Sequence, residues 1–141
     1  MTLWEHNIEI AAPPARIWAV MSDVARWPEW TPSMESVAEV SSPLSLGGTA
    51  TVKAKGVTET RWTVTEWIPD QGFVWETKVR GARTVGGHTI APLADGRCRV
   101  TLSIEVLGMA GAIFKPLISR TITRNMEMEA NGLKQRSEVG E

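Results

Sequence analysis

The stretch RCRVTLSIEVL, residues 97–107, places Cys98, Val100, Leu102, Ile104 and Val106 on one side of the chain and Arg97, Arg99, Thr101, Ser103 and Glu105 on the other. Side chains alternate across a strand, so this pattern predicts a strand with one buried face. Immediately afterwards the period changes. Phe114, Ile118, Ile122, Met126, Ala130 and Leu133 recur at spacings of three and four, the stripe of a helix with one apolar side. The two apolar faces are each the longest of their kind in the chain, and they are expected to cover one another. Pro116 either starts this helix over 116–133 or kinks it. The end, residues 137–141, is expected to fray.

Working outward, residues 3–11 alternate, with Trp4, His6, Ile8 and Ile10 sharing one face. Pro13-Pro14 ends that strand and suits the first turn of a helix, in which Ile17, Val20 and Met21 follow at helical spacing. Residues 25–30 read as a second short helix or tight turn, closed by Pro28 and Pro32. Five further strands are expected over 36–40, 49–55, 58–67, 73–80 and 83–93. The loop 41–48, Gly56, Pro69-Asp70-Gln71-Gly72, Gly81 and Asp95-Gly96 separate them. Gly86-Gly87 reads as a bulge.

The order is strand, two short helices, six strands, long helix, and 141 residues suffice for one domain with its own core. Most strands have one apolar face, which predicts an antiparallel sheet covered on one side. One helix of about 10 Å diameter cannot cover seven strands set about 4.8 Å apart. The sheet must curl around it, and space must remain beside it, floored by the two short helices.

Composition narrows the function. The formal net charge is −1 and no basic stripe is present, which argues against nucleic acid as a partner. Residues 1–10 lack the basic start and apolar run of a signal peptide. No window approaches the roughly 20 apolar residues of a membrane span, so the expected location is cytoplasmic. The single cysteine, Cys98, sits in a strand and reads as a small buried hydrophobe. His6 and His88 are the only histidines, no ligand set has zinc-type spacing, and neither glycine pair opens a helix after a parallel strand. Neither a metal nor another cofactor is expected.

Several stretches resemble one known family. They are Ala12-Pro13-Pro14-Ala15-Arg16-Ile17-Trp18 with Asp23, Trp27-Pro28-Glu29-Trp30-Thr31-Pro32, Val64-Thr65-Glu66-Trp67-Ile68-Pro69, Asp95-Gly96, and Gly132-Leu133-Lys134. Together they look like the START-like (SRPBCC, helix-grip) superfamily, and more narrowly its polyketide cyclase/dehydrase and lipid-transport group. The resemblance covers essentially the whole chain, 1–141, as a single START-like domain. It implies an α+β helix-grip fold, a curved seven-stranded antiparallel sheet wrapped around a long C-terminal helix, with two short helices after the first strand. These motifs are packing and turn residues, none of them a catalytic signature, and the superfold hosts many functions.

The candidate site follows from the seven tryptophans and His88. Trp62 and Trp75 have apolar strand parity and should line the cavity, with Phe114 and Ile118 opposite on the helix. Trp30, with Trp18, sits in the two-helix connection expected to close the mouth. His88 shares parity with Ile90 but competes with a rival face of Thr89, Ala91 and Leu93. Facing inward, it has the chemistry of a proton shuttle. Glu66 shares parity with Trp62 and Val64, and Asn125 lies beside the helical stripe. Three readings stay open. The first is binding of a medium-sized apolar or aromatic small molecule, lipid or polyketide-like, by a monomer or homodimer. The second is a cyclase, aromatase or dehydratase using the same cavity with His88 as acid/base. The third is a protein-interaction module whose Trp-rich mouth docks a partner.

Overall fold

The computed structural model describes residues 2–139. Strands β1 (Thr2–Ile10), β2 (Met34–Ala38), β3 (Thr49–Ala54), β4 (Thr60–Ile68), β5 (Gly72–Val79), β6 (Ala82–Pro92) and β7 (Cys98–Val106) form one sheet in the order β1-β7-β6-β5-β4-β3-β2. Every pairing is antiparallel. Between β1 and β2 come helix α1 (Pro14–Met21) and a 3₁₀ helix (Val24–Glu29), and helix α2 (Met109–Val139) closes the chain. Period-2 alternation therefore gives strands and period 3.6 gives the helix, as the sequence pattern requires.

Strand β7 lies between β1 and β6, with Thr2 opposite Val106 and Ile10 opposite Cys98. Its apolar residues Cys98, Val100, Leu102 and Val106 are buried, as are Met126, Ala130 and Leu133 of α2. The helix packs chiefly on β1, β7 and α1. Gly132 marks the closest approach to the 3₁₀ helix, because a Cβ there would overlap the Trp30 carbonyl oxygen. Cys98 is fully buried, and burial pushes its thiol up.

Four local expectations are corrected. Helix α2 begins at Met109, so Pro116 lies inside it. The apolar, small-residue stretch before the proline supports helix, and the carbonyl that Pro116 leaves unbonded belongs to Ala112, which is exposed to solvent. The helix also does not fray at Ser137, which is buried. The Arg16 guanidinium donates to the carbonyls of Arg136 (3.0 Å) and Ser137 (3.3 Å), and the Glu138 carboxylate accepts from the Ala11 amide (2.8 Å). A cation on the last carbonyls suits a helix C-terminus. Gly140 and Glu141 lie outside the described residues.

Gly86-Gly87 forms no bulge, since β6 keeps unbroken register with β5 and β7. These glycines clear space instead. A Cβ on Gly86 would stand 2.8 Å from the Trp75 indole nitrogen, and one on Gly87 2.5 Å from the Ser103 hydroxyl. The bulge falls in β4, between Val64 and Glu66. Thr65 and Glu66 are both exposed there, so Glu66 does not face inward. Trp67 takes the inward position and meets Phe73 at 5.4 Å between ring centroids.

Arg16→Ala is expected to lower stability by about 1–2 kcal/mol, the scale of a partly buried charge at a helix C-terminus. Amide hydrogen exchange should speed up in the last turn of α2 and leave β7 unchanged. Uniform loss of protection across the chain would contradict a local capping role.

Candidate functional site

Because α2 leans on the β1–β7 flank, the inner face of β3–β6 is left facing a cavity of about 530 Å³. That volume falls within the range of about 300–1,000 Å³ typical of small-molecule sites. One end is closed by Trp27, Trp75 and His88, each almost fully buried. The other end opens between the Gly56–Thr58 turn, Arg80 and the first half of α2, where Phe114 and Leu117 remain 50% and 76% exposed. Along β6, the six residue steps from Ala82 to His88 separate the two ends by about 20 Å.

Of the residues singled out from sequence, Trp62, Trp75, His88, Phe114 and Ile118 line this cavity. Trp62 stacks on Trp75 with centroids 5.3 Å apart and planes at 27°. Trp30 does not line it. It packs behind Trp27 at 5.7 Å, with its backbone against Gly132. Trp18 sits edge-on to Trp67 at 4.8 Å, also away from the cavity. The two-helix connection thus floors the closed end, and the mouth lies at the opposite end. Asn125 lines the cavity and donates through Nδ2 to the Lys55 carbonyl at 2.9 Å, tying α2 to the end of β3.

Among the lining residues that the sequence reading did not single out are Trp27 and Glu129. Trp27 is fully buried, and its indole donates to the Met21 carbonyl at 3.0 Å. In a 3₁₀ helix, positions i and i+3 share a side, so Trp27 and Trp30 are equivalent on pattern alone. Glu129 had a visible signal: it stands three residues after Met126 and four before Leu133, inside the apolar stripe.

His88 faces inward with Ile90, and its ring stacks on Phe73 at 4.2 Å. Its Nδ1 lies 3.2 Å from the Phe73 carbonyl. A carbonyl only accepts, so Nδ1 carries the proton, and in the neutral ring Nε2 is an acceptor. Nε2 stands 3.7 Å from Glu129 Oε2, beyond hydrogen-bond length. Burial penalises charge on both groups. It takes His88 from its ordinary 6.5 down to about 4, against a smaller opposing effect of the Phe73 carbonyl. It also raises Glu129 from 4.5 to about 8. Near neutrality the pair is therefore a neutral imidazole beside a protonated carboxyl. Among the described residues no three His, Cys, Asp or Glu side chains converge as a metal site.

The chain matches the family described as polyketide cyclase / dehydrase and lipid transport over residues 1–138, and it belongs to that family. The architecture is the helix-grip fold, as solved structures show. The Zhui aromatase/cyclase of Streptomyces sp. R1128 is 17% identical with TM-score 0.78, covering 97% of this chain and 93% of that one. A norcoclaurine synthase point mutant of Thalictrum flavum, in complex with a transition-state analogue, is 17% identical with TM-score 0.70, covering 96% and 93%. The Aha1 dimer of Colwellia psychrerythraea is 18% identical with TM-score 0.71, covering 100% and 99%. At these identities the likeness is one of fold. No curated protein matches the chain. Among the described residues no helix is long and apolar enough to cross a membrane.

The shifts at His88 and Glu129 predict a dome-shaped pH dependence. For His88 the folded value lies below the unfolded one, so between about 6.5 and 4 the unfolded chain binds the extra proton and acid destabilises. For Glu129 the folded value lies above, so between about 4.5 and 8 the folded chain holds the extra proton and stability falls as pH rises. Glu129→Gln should flatten the alkaline limb of a Tm–pH curve, and His88→Phe the acid limb. Unchanged limbs in both variants would refute the neutral pair.

Proposed function

We propose that this protein binds a medium-sized apolar or aromatic small molecule, of lipid or polyketide-like character, between its sheet and α2. The carrying observation is the open-ended cavity of about 530 Å³ with walls of Trp62, Trp75, Leu102, Ile104, Ile118 and Ile122. Protein interiors pack as densely as organic crystals, so an interior space of this size marks a place kept for something else. Affinity would come from apolar burial, about 25 cal/mol per Å². The short-helix tryptophans pack inward on one another and on Phe73. The short-helix tryptophans therefore give the protein-interaction reading no separate support.

Pyrene, whose absorption overlaps tryptophan emission, is expected to bind saturably and quench that emission, with Kd on the order of micromolar. Ile118→Trp, which adds bulk to the cavity wall, should weaken pyrene at least about tenfold without lowering Tm. Trp75→Ala should cost less than the roughly 3–5 kcal/mol of a fully packed aromatic. Failure of pyrene to bind the wild type would overturn the reading.

A second reading is favoured by one observation, the paired neutral groups His88 and Glu129. Groups pushed apart in pKa are suited to act as base and acid in one step. In a dehydratase or cyclase, His88 Nε2 would accept a proton α to a ligand carbonyl while the Glu129 carboxyl protonates the departing hydroxyl as water. Catalysed loss of water from an aryl β-hydroxyketone, abolished by His88→Phe, would establish that role; no turnover above buffer would leave binding alone.

A further inference from the structure

We propose that the closed end of the cavity recognises one uncharged hydroxyl group, a phenol or enol carried by an otherwise apolar ligand, held jointly by His88 and Glu129. This inference rests on the reading of the cavity as a small-molecule site and specifies which polar group that molecule carries and where.

The geometry carries it. His88 Nδ1 is committed to the Phe73 carbonyl, which leaves Nε2 as an acceptor turned toward Glu129. The gap of 3.7 Å is too long for a direct hydrogen bond. Among the described residues, neither Nε2 nor the Glu129 carboxyl has another hydrogen-bond partner in the protein. Both border the cavity, where Trp27, Trp75, Leu102 and Met126 stand beside them. The donor and the acceptor face the cavity at its mostly buried end, with side chains 6% and 13% exposed, and one oxygen about 2.8 Å from each satisfies both. Such an oxygen must accept the carboxyl proton and donate its own to Nε2. A hydroxyl does both. A ketone or ether only accepts and leaves Nε2 unmatched.

Charge selects in the same direction. The neutrality that burial imposes on both groups leaves no countercharge at this end, so a carboxylate or ammonium would lose its water for nothing. Among the described residues, the one other titratable side chain lining the cavity is Arg80, at the open end. An anionic group on a ligand would therefore sit at the mouth, with the hydroxyl innermost.

The test compares pyrene, 1-hydroxypyrene and 1-methoxypyrene on the full chain at about pH 6, read by fluorescence titration. The expected result is 1-hydroxypyrene tighter than the other two by about tenfold. Glu129→Leu and His88→Phe should bring the three affinities within about twofold of one another, and Glu129→Gln, which keeps a donor and an acceptor, should retain most of the preference. Should the leucine or phenylalanine variant fail to fold, the hydroxyl-against-methoxy comparison in the wild type and in Glu129→Gln decides alone. Equal binding of all three probes overturns this inference and leaves the cavity reading standing. So does a preference that vanishes in Arg80→Ala, since the hydroxyl would then sit at the mouth. Absence of pyrene binding overturns the cavity reading itself.

Discussion

One helix lies over seven strands, and it lies off centre. Helix α2 covers β1 and β7 and leaves β3–β6 uncovered, because a cylinder about 10 Å wide spans only two or three strands. Everything functional in the molecule follows from that mismatch. The sheet curls to bring its far edge toward the helix, the short helices fill the near end beneath Trp75 and His88, and the remaining space becomes the cavity. The placement of α2 is in turn held at both ends. Arg16 and Glu138 fix its last turn against α1 and the end of β1, and Gly132 lets it touch the 3₁₀ helix.

The size of the cavity decides its character. At about 24 cal/mol per Å³, a sealed empty space of this volume would cost about 13 kcal/mol, comparable to the whole stability of an ordinary domain. A protein of this size cannot keep such a void dry and closed. The exposed apolar residues at the open end, Phe114 and Leu117, are the other side of the same account. They bound an opening through which the space communicates with its surroundings, and their apolar surface has nothing to bury against while the opening exists.

The fold was legible in the sequence because periodicity is read directly from residue order. The alternation of 97–107 and the stripe from Phe114 to Leu133 specify both elements and the faces they share. What was not legible depends on contacts between distant segments. The inward parity of Trp62 and Val64 extends to Glu66 on paper, but a bulge at Thr65 hands the inward position to Trp67. Gly86-Gly87 looks like an irregularity, yet it is regular strand in which missing side chains make room for Trp75 and Ser103. Trp30 and Trp27 are interchangeable in pattern, and only the docking of Gly132 against the Trp30 backbone sends one behind the other. Five of the six proposed site residues line the cavity because strand parity and helix stripe locate them; the sixth fails because a 3₁₀ turn carries no such information.

Glu129 is the residue that separates this molecule from a generic apolar container. Placed in the helical stripe between Met126 and Leu133, it violates the binary pattern that forms α2, and its burial costs the chain stability whenever it ionises. An alanine or leucine there would complete the stripe at no such cost. Local rules are broken most often where a protein needs chemistry that packing alone cannot supply. The partner supports the same conclusion, since His88 spends one ring nitrogen on the Phe73 carbonyl and aims the other at Glu129. Two elements far apart in sequence, β6 and α2, thus deliver a donor and an acceptor to one point at the innermost end of an apolar space. A carrier that relied on burial alone would have no use for either group. Under the proposed reading, a bound molecule would lie with its polar group inward and its apolar body toward Phe114 and Leu117.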